Sequence, residues 1–230
     1  MTDAMYAGPF NSHRLDTSVG VWVYSTPDGF KRGLSVHIMQ DHDLPGLGVY
    51  DPGTGQIVVR TDAAGVGSVA HEIVHPMVLG DMPHVPTWLA EGISSLFEVP
   101  VFVDEPGKPP AAHGAAHFRL QTLRDALASR KPAVVQQVSV DRLFTLRFPD
   151  TFYVKDVDLA ELNYACAREF VRMLDQRGQL WPWYHRYRDG LLEDPSGDVA
   201  LKAVTGKTPA EMTADFVAWI DTKQAEAVPR

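Results

Sequence analysis

The stretch DAAGVGSVAHEIVHPMVLGDMPHVPTWLAEGISSLF, residues 62–97, carries the clearest structural pattern in the chain. From Val66 to Val78 its apolar residues recur every three or four positions, which is the period of an amphipathic helix. Asp62 stands where a side chain can cap the start of that helix, and a glycine and two prolines follow its end. A second amphipathic helix is predicted over residues 87–97, after the proline-rich turn.

The residues before this stretch favour β-structure. Residues 19–24 are rich in β-branched and aromatic side chains and end at TPDG, which is typical of a turn. Residues 34–40 form a second run of this kind. Residues 48–51 and 56–60 flank PGTG, which predicts a hairpin. Strands this short favour a small mixed or antiparallel sheet.

The residues after this stretch favour helices. Prolines and glycines make residues 100–116 loop-like. We therefore expect an α+β fold in a single domain, with the sheet and the first long helix in residues 1–80 and a helical lobe in residues 81–230. Helices are predicted at residues 117–129, 159–176, 182–192 and 209–225.

Composition limits the class of protein. The 230 residues are 45% hydrophobic and 22% charged, the ordinary mix of a globular domain with its own core. The net charge of −8 argues against a general nucleic-acid binder, which needs a basic face. Residues 181–190, WPWYHRYRDG, mix aromatic and basic side chains, and we interpret them as core aromatics with surface arginines.

Cysteine use and hydropathy bear on the compartment. Cys166 is the only cysteine, so no internal disulfide is possible, and we expect a small buried side chain on a helix. Residues 1–16 lack the pattern of a signal peptide, and no segment reaches the roughly 18 apolar residues of a membrane helix. The prediction is a cytoplasmic protein if the chain is full length, and an extracytoplasmic location stays open if the natural chain is longer.

The motif HEIVH lies at residues 71–75, inside the first predicted helix. His71 and His75 are one turn apart, so both imidazoles lie on one helix face and can reach one ion. Zinc accepts imidazole nitrogen, and a catalytic zinc keeps three protein ligands and an open position. Glu72 would lie beside the metal, where a carboxylate can take a proton from metal-activated water.

Glu91 is the candidate for the third ligand. It interrupts the apolar side of the second predicted helix, within WLAEG, and the proline-rich turn lets this helix fold back on the first. A lone buried carboxylate is costly, so Glu91 is expected to be paired, exposed or metal-bound, and the HEIVH motif just upstream favours the metal-bound alternative. His71, His75 and Glu91 would complete a site for one zinc ion per chain, with one water.

HEIVH followed by PTWLAEGISSLFE resembles the gluzincin clan of metallopeptidases, in particular the bacterial peptidase MA-like proteins. Weaker similarity extends over roughly residues 19–220. The resemblance implies a zincin-like fold in which the small sheet packs on the active-site helix. It also implies that His71, His75 and Glu91 bind zinc and that Glu72 is the catalytic base. Tyr164, in LNYACAR, is the candidate that stabilises the oxyanion.

The sequence departs from the family pattern at several positions. Pro76 follows the second histidine and removes a helical hydrogen bond, which predicts a kink that either aims the metal-binding face or ends the helix early. Ser95 stands one turn after Glu91, where some relatives carry an acidic residue that orients a histidine ligand. The sequence therefore names no such partner. His113 and His117 are also four apart, but the glycine between them and the absence of a third ligand disfavour a second metal site.

The predicted activity is hydrolysis of peptide bonds in a peptide or protein substrate, and the strand around residues 47–50 is a candidate to bind substrate by strand addition. The alternative is a non-peptidase or inactive zinc-binding module on the same scaffold, because the motif determines metal and water but not substrate. A purely structural zinc site is disfavoured, since such sites have four protein ligands. The substrate, the choice between endo- and exopeptidase and the oligomeric state stay open.

Overall fold

The computed structural model describes residues 10, 18–38, 46–63, 65–103, 106, 111–223 and 226. Over these residues the chain forms a mixed α+β fold with eleven α-helices and five strands in two small sheets. The predicted α+β class is confirmed. The chain divides into two compact units, one of Met1–Pro83 with Phe97–Ala112 and the other of His84–Leu96 with His113–Arg230.

The larger sheet has three strands, β1 (Gly20–Tyr24), β2 (Gly48–Asp51) and β3 (Gln56–Arg60). Their order is β1-β3-β2, with β1 parallel and β2 antiparallel to β3. The prediction of a small mixed sheet is confirmed. The central position of β3 explains its run of three fully buried side chains, because it has a strand on either side. These are Ile57, Val58 and Val59.

The β2–β3 hairpin is confirmed, and side chains of its turn stabilise it. The Asp51 carboxylate accepts hydrogen bonds from the Gly53 N–H at 3.0 Å and from the Thr54 hydroxyl at 2.9 Å. This is the local pairing that makes Asp and Thr common in turns. Gly55 has a φ of +65°, a conformation that glycine adopts without strain.

The predicted strand at residues 34–40 is wrong. Helix α1 (Pro27–Gly33) continues into a π-helix (Leu34–Ile38), and residues 39 and 40 lie outside the described residues. TPDG is a helix start rather than a turn, because the Thr26 hydroxyl accepts a hydrogen bond from the Gly29 N–H at 3.1 Å. The buried apolar residues of this segment, Phe30, Leu34 and Ile38, are four positions apart, as in a helix, and do not alternate as in a strand. They pack in one cluster with Val58 of β3.

The two helices of the opening stretch are confirmed as α2 (Gly67–Asp81) and α3 (Thr87–Leu96). Helix α2 lies against β2 and β3. The predicted cap by Asp62 is wrong, because α2 begins at Gly67 with Val66 at the N-cap position. The Asp62 carboxylate accepts two hydrogen bonds from Arg60, at 2.7 and 2.9 Å. Pro76 lies inside α2 without ending it, so the alternative of an early helix end is wrong.

The predicted loop over residues 100–116 is partly wrong. Two short strands, β4 (Pro100–Val103) and β5 (Ala111–Gly114), pair in a second sheet, and residues 104–105 and 107–110 lie outside the described residues. A proline is compatible with a strand at its first residue or at a sheet edge, where its missing N–H removes no ladder bond. The many prolines of this segment therefore led to a loop prediction where part of the chain forms strands.

The four helices predicted after this point are confirmed, with bounds shifted by a few residues. They are α4 (Phe118–Ala128), α8 (Val157–Gln176), α9 (Leu180–Asp189) and α11 (Pro209–Thr222). Four further helices of four to eight residues were not predicted, because such short segments carry little periodicity. These are α5 (Pro132–Val135), α6 (Val140–Leu143), α7 (Pro149–Phe152) and α10 (Asp198–Thr205). Among the described helices, none is both long and apolar enough to cross a bilayer.

The second unit has an aromatic core. Trp88 of α3 packs against Phe144 with ring centroids 4.9 Å apart, and stacks on Trp183 at 5.9 Å. Trp183 and Tyr187 of the 181–190 segment are fully buried, so the interpretation of its aromatics as core residues is confirmed. The Cys166 prediction is also confirmed: the side chain is buried on α8, and burial raises its thiol pKa to about 12.

Candidate metal centre

Helix α2 brings the two motif histidines together. The Nε2 atoms of His71 and His75 face each other at 3.1 Å. Two imidazole nitrogens bound to one tetrahedral zinc at about 2.0–2.1 Å would lie about 3.3–3.4 Å apart. The two rings therefore already stand close to the spacing that a shared metal ion requires.

Glu98 orients the first histidine. Its Oε1 lies 2.9 Å from His71 Nδ1, so this nitrogen donates its proton to the carboxylate and Nε2 keeps the lone pair that a metal needs. Glu98 is the orienting carboxylate that the sequence did not identify. Ser95, the position considered for that role, instead accepts a hydrogen bond at its backbone carbonyl from Arg168 at 3.0 Å. The available signal was the position of Glu98 just beyond the end of α3.

Glu91 lies on α3, a helix with nine of its ten residues buried, and is itself only 4% exposed. A carboxylate is costly to bury, so its contacts matter more than those of a surface glutamate. The Tyr153 hydroxyl donates a hydrogen bond to Glu91 Oε1. The sequence did not single out Tyr153, because it follows the four-residue helix α7, which has no periodic pattern.

His71, His75 and Glu91 form a group that could hold a metal ion. One ligand atom from each residue lies within 4.8 Å of the other two, and no other such group occurs among the residues that the structure describes. Two imidazole nitrogens and one carboxylate oxygen suit zinc and other divalent first-row metals. The three residues that the sequence selected as ligands are therefore brought together.

Glu72 is buried next to strand β2, with 6% of its surface exposed. A Cβ atom added at Gly48 would lie 2.6 Å from both Cγ and Oε1 of Glu72. Real side chains do not approach so closely, so a side chain at position 48 would displace the Glu72 carboxylate. Gly48 is a third residue that the sequence did not single out, and its lack of a side chain leaves the space that this carboxylate occupies.

Tyr164 lies on α8, half-buried among aromatic and cationic neighbours. Its ring centroid is 5.0 Å from that of Phe152, and the Arg119 guanidinium carbon is 5.1 Å from the centroid of the same ring. The proposed contact of its hydroxyl with an oxyanion stays a prediction. Its ring also lies 6.4 Å from that of Tyr153, so the two tyrosines are neighbours.

The second histidine pair has different surroundings. His113 lies on β5, with Nδ1 3.2 Å from both carboxylate oxygens of Asp175. Burial raises the pKa of the Asp175 carboxyl, and the nearby His113 opposes that shift. His117 occupies the N-cap position of α4. The spacing of four residues thus spans a strand and a helix start here, and it does not stack the two rings on one helix face.

No protein-family profile matches this chain, and a comparison with curated proteins finds no significant match. The candidate centre is therefore interpreted from its own residues: two facing histidines, a buried glutamate ligand and a carboxylate that orients one ring.

Proposed function

We propose that this chain is a zinc-dependent peptidase of the gluzincin type on a zincin-like fold, with one zinc ion held by His71, His75 and Glu91. The observation that carries this proposal is the convergence of three ligand atoms within 4.8 Å, including two imidazole nitrogens 3.1 Å apart. Three protein ligands leave a position open, which distinguishes a catalytic zinc site from a closed structural one.

The chemistry of the surrounding residues fits a divalent cation. Both imidazoles can bind as neutral ligands, and the hydrogen bond from His71 Nδ1 to Glu98 selects the tautomer in which Nε2 is the ligand atom. The buried Glu91 carboxylate gains a strong opposite charge when a cation binds, which offsets the cost of its burial. When bound, the metal would polarise a carbonyl and activate water.

Glu72 supplies the acid–base step in this proposal. Its carboxylate takes a proton from the attacking water as the water oxygen bonds to the scissile carbonyl carbon. The same carboxyl group then gives that proton to the amine nitrogen as the carbon–nitrogen bond breaks. Glycine at position 48 leaves room for this carboxylate, because a Cβ there would lie 2.6 Å from Glu72 Oε1 and would displace the proposed base. Tyr164 keeps its proposed role as a hydrogen-bond donor to the oxyanion.

Strand β2 supports a peptide or protein substrate. It lies at the edge of the three-stranded sheet, where an extended chain can add as a further strand. Gly48 belongs to this strand, and a Cβ atom there would lie 2.6 Å from Glu72, so a chain bound along the strand would pass close to the proposed base. Substrate binding and proton transfer would thus share one short segment.

The test is to measure zinc content and peptide hydrolysis together for the wild type and Glu72→Gln, both purified without chelator. Glutamine keeps the shape of the side chain but cannot take the proton. We expect about one zinc ion per chain in both proteins, hydrolysis in the wild type and none in the variant. Identical purification makes the variant the control for contaminating host peptidases.

Three other outcomes would contradict the proposal at different points. Unchanged hydrolysis by Glu72→Gln would exclude Glu72 as the base. Bound zinc without hydrolysis of a mixed peptide library would instead support a zinc-binding module that is not a peptidase. A wild type that binds no metal even when zinc is added would overturn the metal centre itself.

A further inference from the structure

We propose that Tyr153 is a positioning residue of the metal centre: its hydroxyl donates a hydrogen bond to Oε1 of Glu91, which would leave the other carboxylate oxygen of Glu91 to bind the metal. The inference rests on the proposed metal centre. It concerns a residue 62 positions away in sequence from the ligand that it contacts. It also gives the two neighbouring tyrosines different roles, with Tyr153 acting on the ligand and Tyr164 proposed as the donor to the oxyanion.

The hydrogen bond joins an accessible residue to a buried one. Tyr153 is 48% exposed, whereas Glu91 is 4% exposed, and the phenol hydroxyl donates to the carboxylate across that boundary. Hydrogen bonds to a charged acceptor are stronger than those between neutral groups. The contact therefore gives Glu91 a preferred orientation before any metal arrives.

Hydrogen bonds to the preceding residue anchor the backbone next to Tyr153. The carbonyl of Phe152, the residue before it, accepts a hydrogen bond from Asn163 Nδ2 at 2.8 Å. The Oδ1 atom of the same Asn163 accepts one from Arg142 at 2.7 Å. Asn163 and Phe152 are both fully buried, so this chain of contacts anchors the end of α7 to α8. A Tyr153 side chain on such an anchored backbone loses little further freedom when it binds Glu91.

The ring of Tyr153 is also constrained. It meets the Phe152 ring edge-on with centroids 5.3 Å apart, and the Tyr164 ring lies 6.4 Å away on α8. Aromatic pairs at these separations contribute attraction beyond simple burial. Backbone, ring and hydroxyl thus all restrict Tyr153 to the position from which it reaches Glu91.

One consequence concerns the number of ligand atoms. A carboxylate can bind a metal through one or both of its oxygens. In Glu91, Oε1 accepts a hydrogen bond from Tyr153, which favours binding through one oxygen. Two imidazole nitrogens and one carboxylate oxygen then leave a tetrahedral ion with one open position. Loss of the hydroxyl is expected to weaken the orientation of Glu91 and to let its second oxygen approach the metal.

The test compares Tyr153→Phe with Tyr164→Phe in the full chain, using Co²⁺ as a spectroscopic probe and Zn²⁺ for affinity. The visible absorption of Co²⁺ weakens as its coordination number rises above four, so it reports ligation without any activity. For Tyr153→Phe we expect weaker Co²⁺ absorption and a zinc affinity lower by about 10–100-fold, the usual effect of losing a residue that orients a ligand. Tyr164→Phe, which removes a hydroxyl from the adjacent ring, should match the wild type in both measurements.

A Tyr153→Phe protein with the wild-type Co²⁺ spectrum and zinc affinity would overturn the inference, as would equal changes in the two variants. Because Tyr153 is half exposed, the variant should keep a thermal midpoint close to that of the wild type, which verifies that it folds. The result is separable from the peptidase proposal. Bound metal with a changed spectrum but no hydrolysis would support the positioning role and overturn only the peptidase, whereas no metal binding by the wild type would overturn both.

Discussion

Two clusters of buried polar side chains differ in what they can bind. The arginine cluster consists of Arg168, Glu169 and Arg172 on α8, and the ligand cluster consists of His71, His75 and Glu91. The arginine cluster combines fixed charges of both signs, whereas the ligand cluster combines one carboxylate with two imidazoles that can be neutral. The comparison shows why burial of polar groups alone does not identify a functional site.

The charges of the arginine cluster are paired with one another and with other groups of the protein. Arg168 and Glu169 have no exposed surface and form a short ion pair, and Arg172 lies 3.3 Å from the other oxygen of Glu169. The guanidinium of Arg168 also donates to the carbonyls of Ser95 and Ala115. These contacts connect α8 to the end of α3 and to the residues after β5.

The ligand cluster has the chemistry that a cation needs. A guanidinium stays protonated and offers only donors, so it cannot bind a metal, whereas a neutral imidazole offers a lone pair. The arginine cluster therefore serves stability, and the ligand cluster is suited to an exchangeable ion. The first two predictions below should each change one of these properties and leave the other.

The largest expected effect is on stability, in the arginine cluster. Glu169→Gln removes the anion between two buried guanidinium groups and should lower the free energy of unfolding by about 3–5 kcal/mol, because a buried charge is left without its partner. Chemical denaturation measures this change, with the exposed Glu161→Gln on the same helix as control. A loss no greater than that of the control would show that the buried ion pair contributes little to the free energy of unfolding.

The second effect is on metal binding. Glu98→Gln should reduce zinc affinity by about 10–100-fold, because His71 loses the carboxylate that orients its ring and raises its basicity. Competition with a chromogenic chelator measures the affinity, and the exposed His84→Ala, between α2 and α3, is the control. Wild-type affinity in Glu98→Gln would mean that the 2.9 Å contact has no bearing on the metal centre.

The third effect is on turnover alone. Gly48→Ala should lower peptide turnover on the order of tenfold while zinc stays bound, because the added methyl displaces the Glu72 carboxylate and not a ligand. The ratio of kcat to bound zinc measures this, and Gly53→Ala in the same hairpin is the control. Equal turnover in the wild type and Gly48→Ala would show that the absence of a side chain at position 48 is not needed for catalysis.

The smallest effect lies at the surface, where a carboxylate belongs to neither cluster. Glu211 accepts hydrogen bonds from the Thr208 N–H at 2.8 Å and its hydroxyl at 2.9 Å, and these bonds lower the pKa of Glu211. A lowered folded-state pKa means that this stabilisation is complete above the pKa of the unfolded chain and is lost as pH falls through the folded value. Glu211→Gln should therefore lower the thermal midpoint slightly at neutral pH, and the difference should shrink below about pH 4.

Thermal melts of Glu211→Gln at neutral and acidic pH, beside the exposed Glu193→Gln as control, would measure this difference. A difference between variant and wild type that grows on acidification would contradict the sign of the pKa shift.

The spacing of apolar residues predicted the helices in which it repeats over several turns, and it gave a wrong prediction for a short segment. Helices α2, α3 and α8 each repeat their apolar spacing over several turns, so neighbouring residues were enough to locate them. The segment 34–38 is too short for its sequence to distinguish the alternation of a strand from the spacing of a helix. It is helical because it continues the helix that Thr26 caps. Asp62 is not the cap, because the helix begins five residues later at Gly67 and Asp62 binds Arg60 instead.

The sequence by itself determined the ligand pair, since residues four apart on a helix share a face whatever the rest of the chain does. It also placed Glu91 on the helix that follows, α3. Only the tertiary structure decided which groups surround these ligands: Glu98 lies 27 residues from His71, and Tyr153 lies 62 residues from Glu91. The physical reason is that periodicity is a local property, whereas such hydrogen bonds depend on how packed helices and strands bring distant residues together.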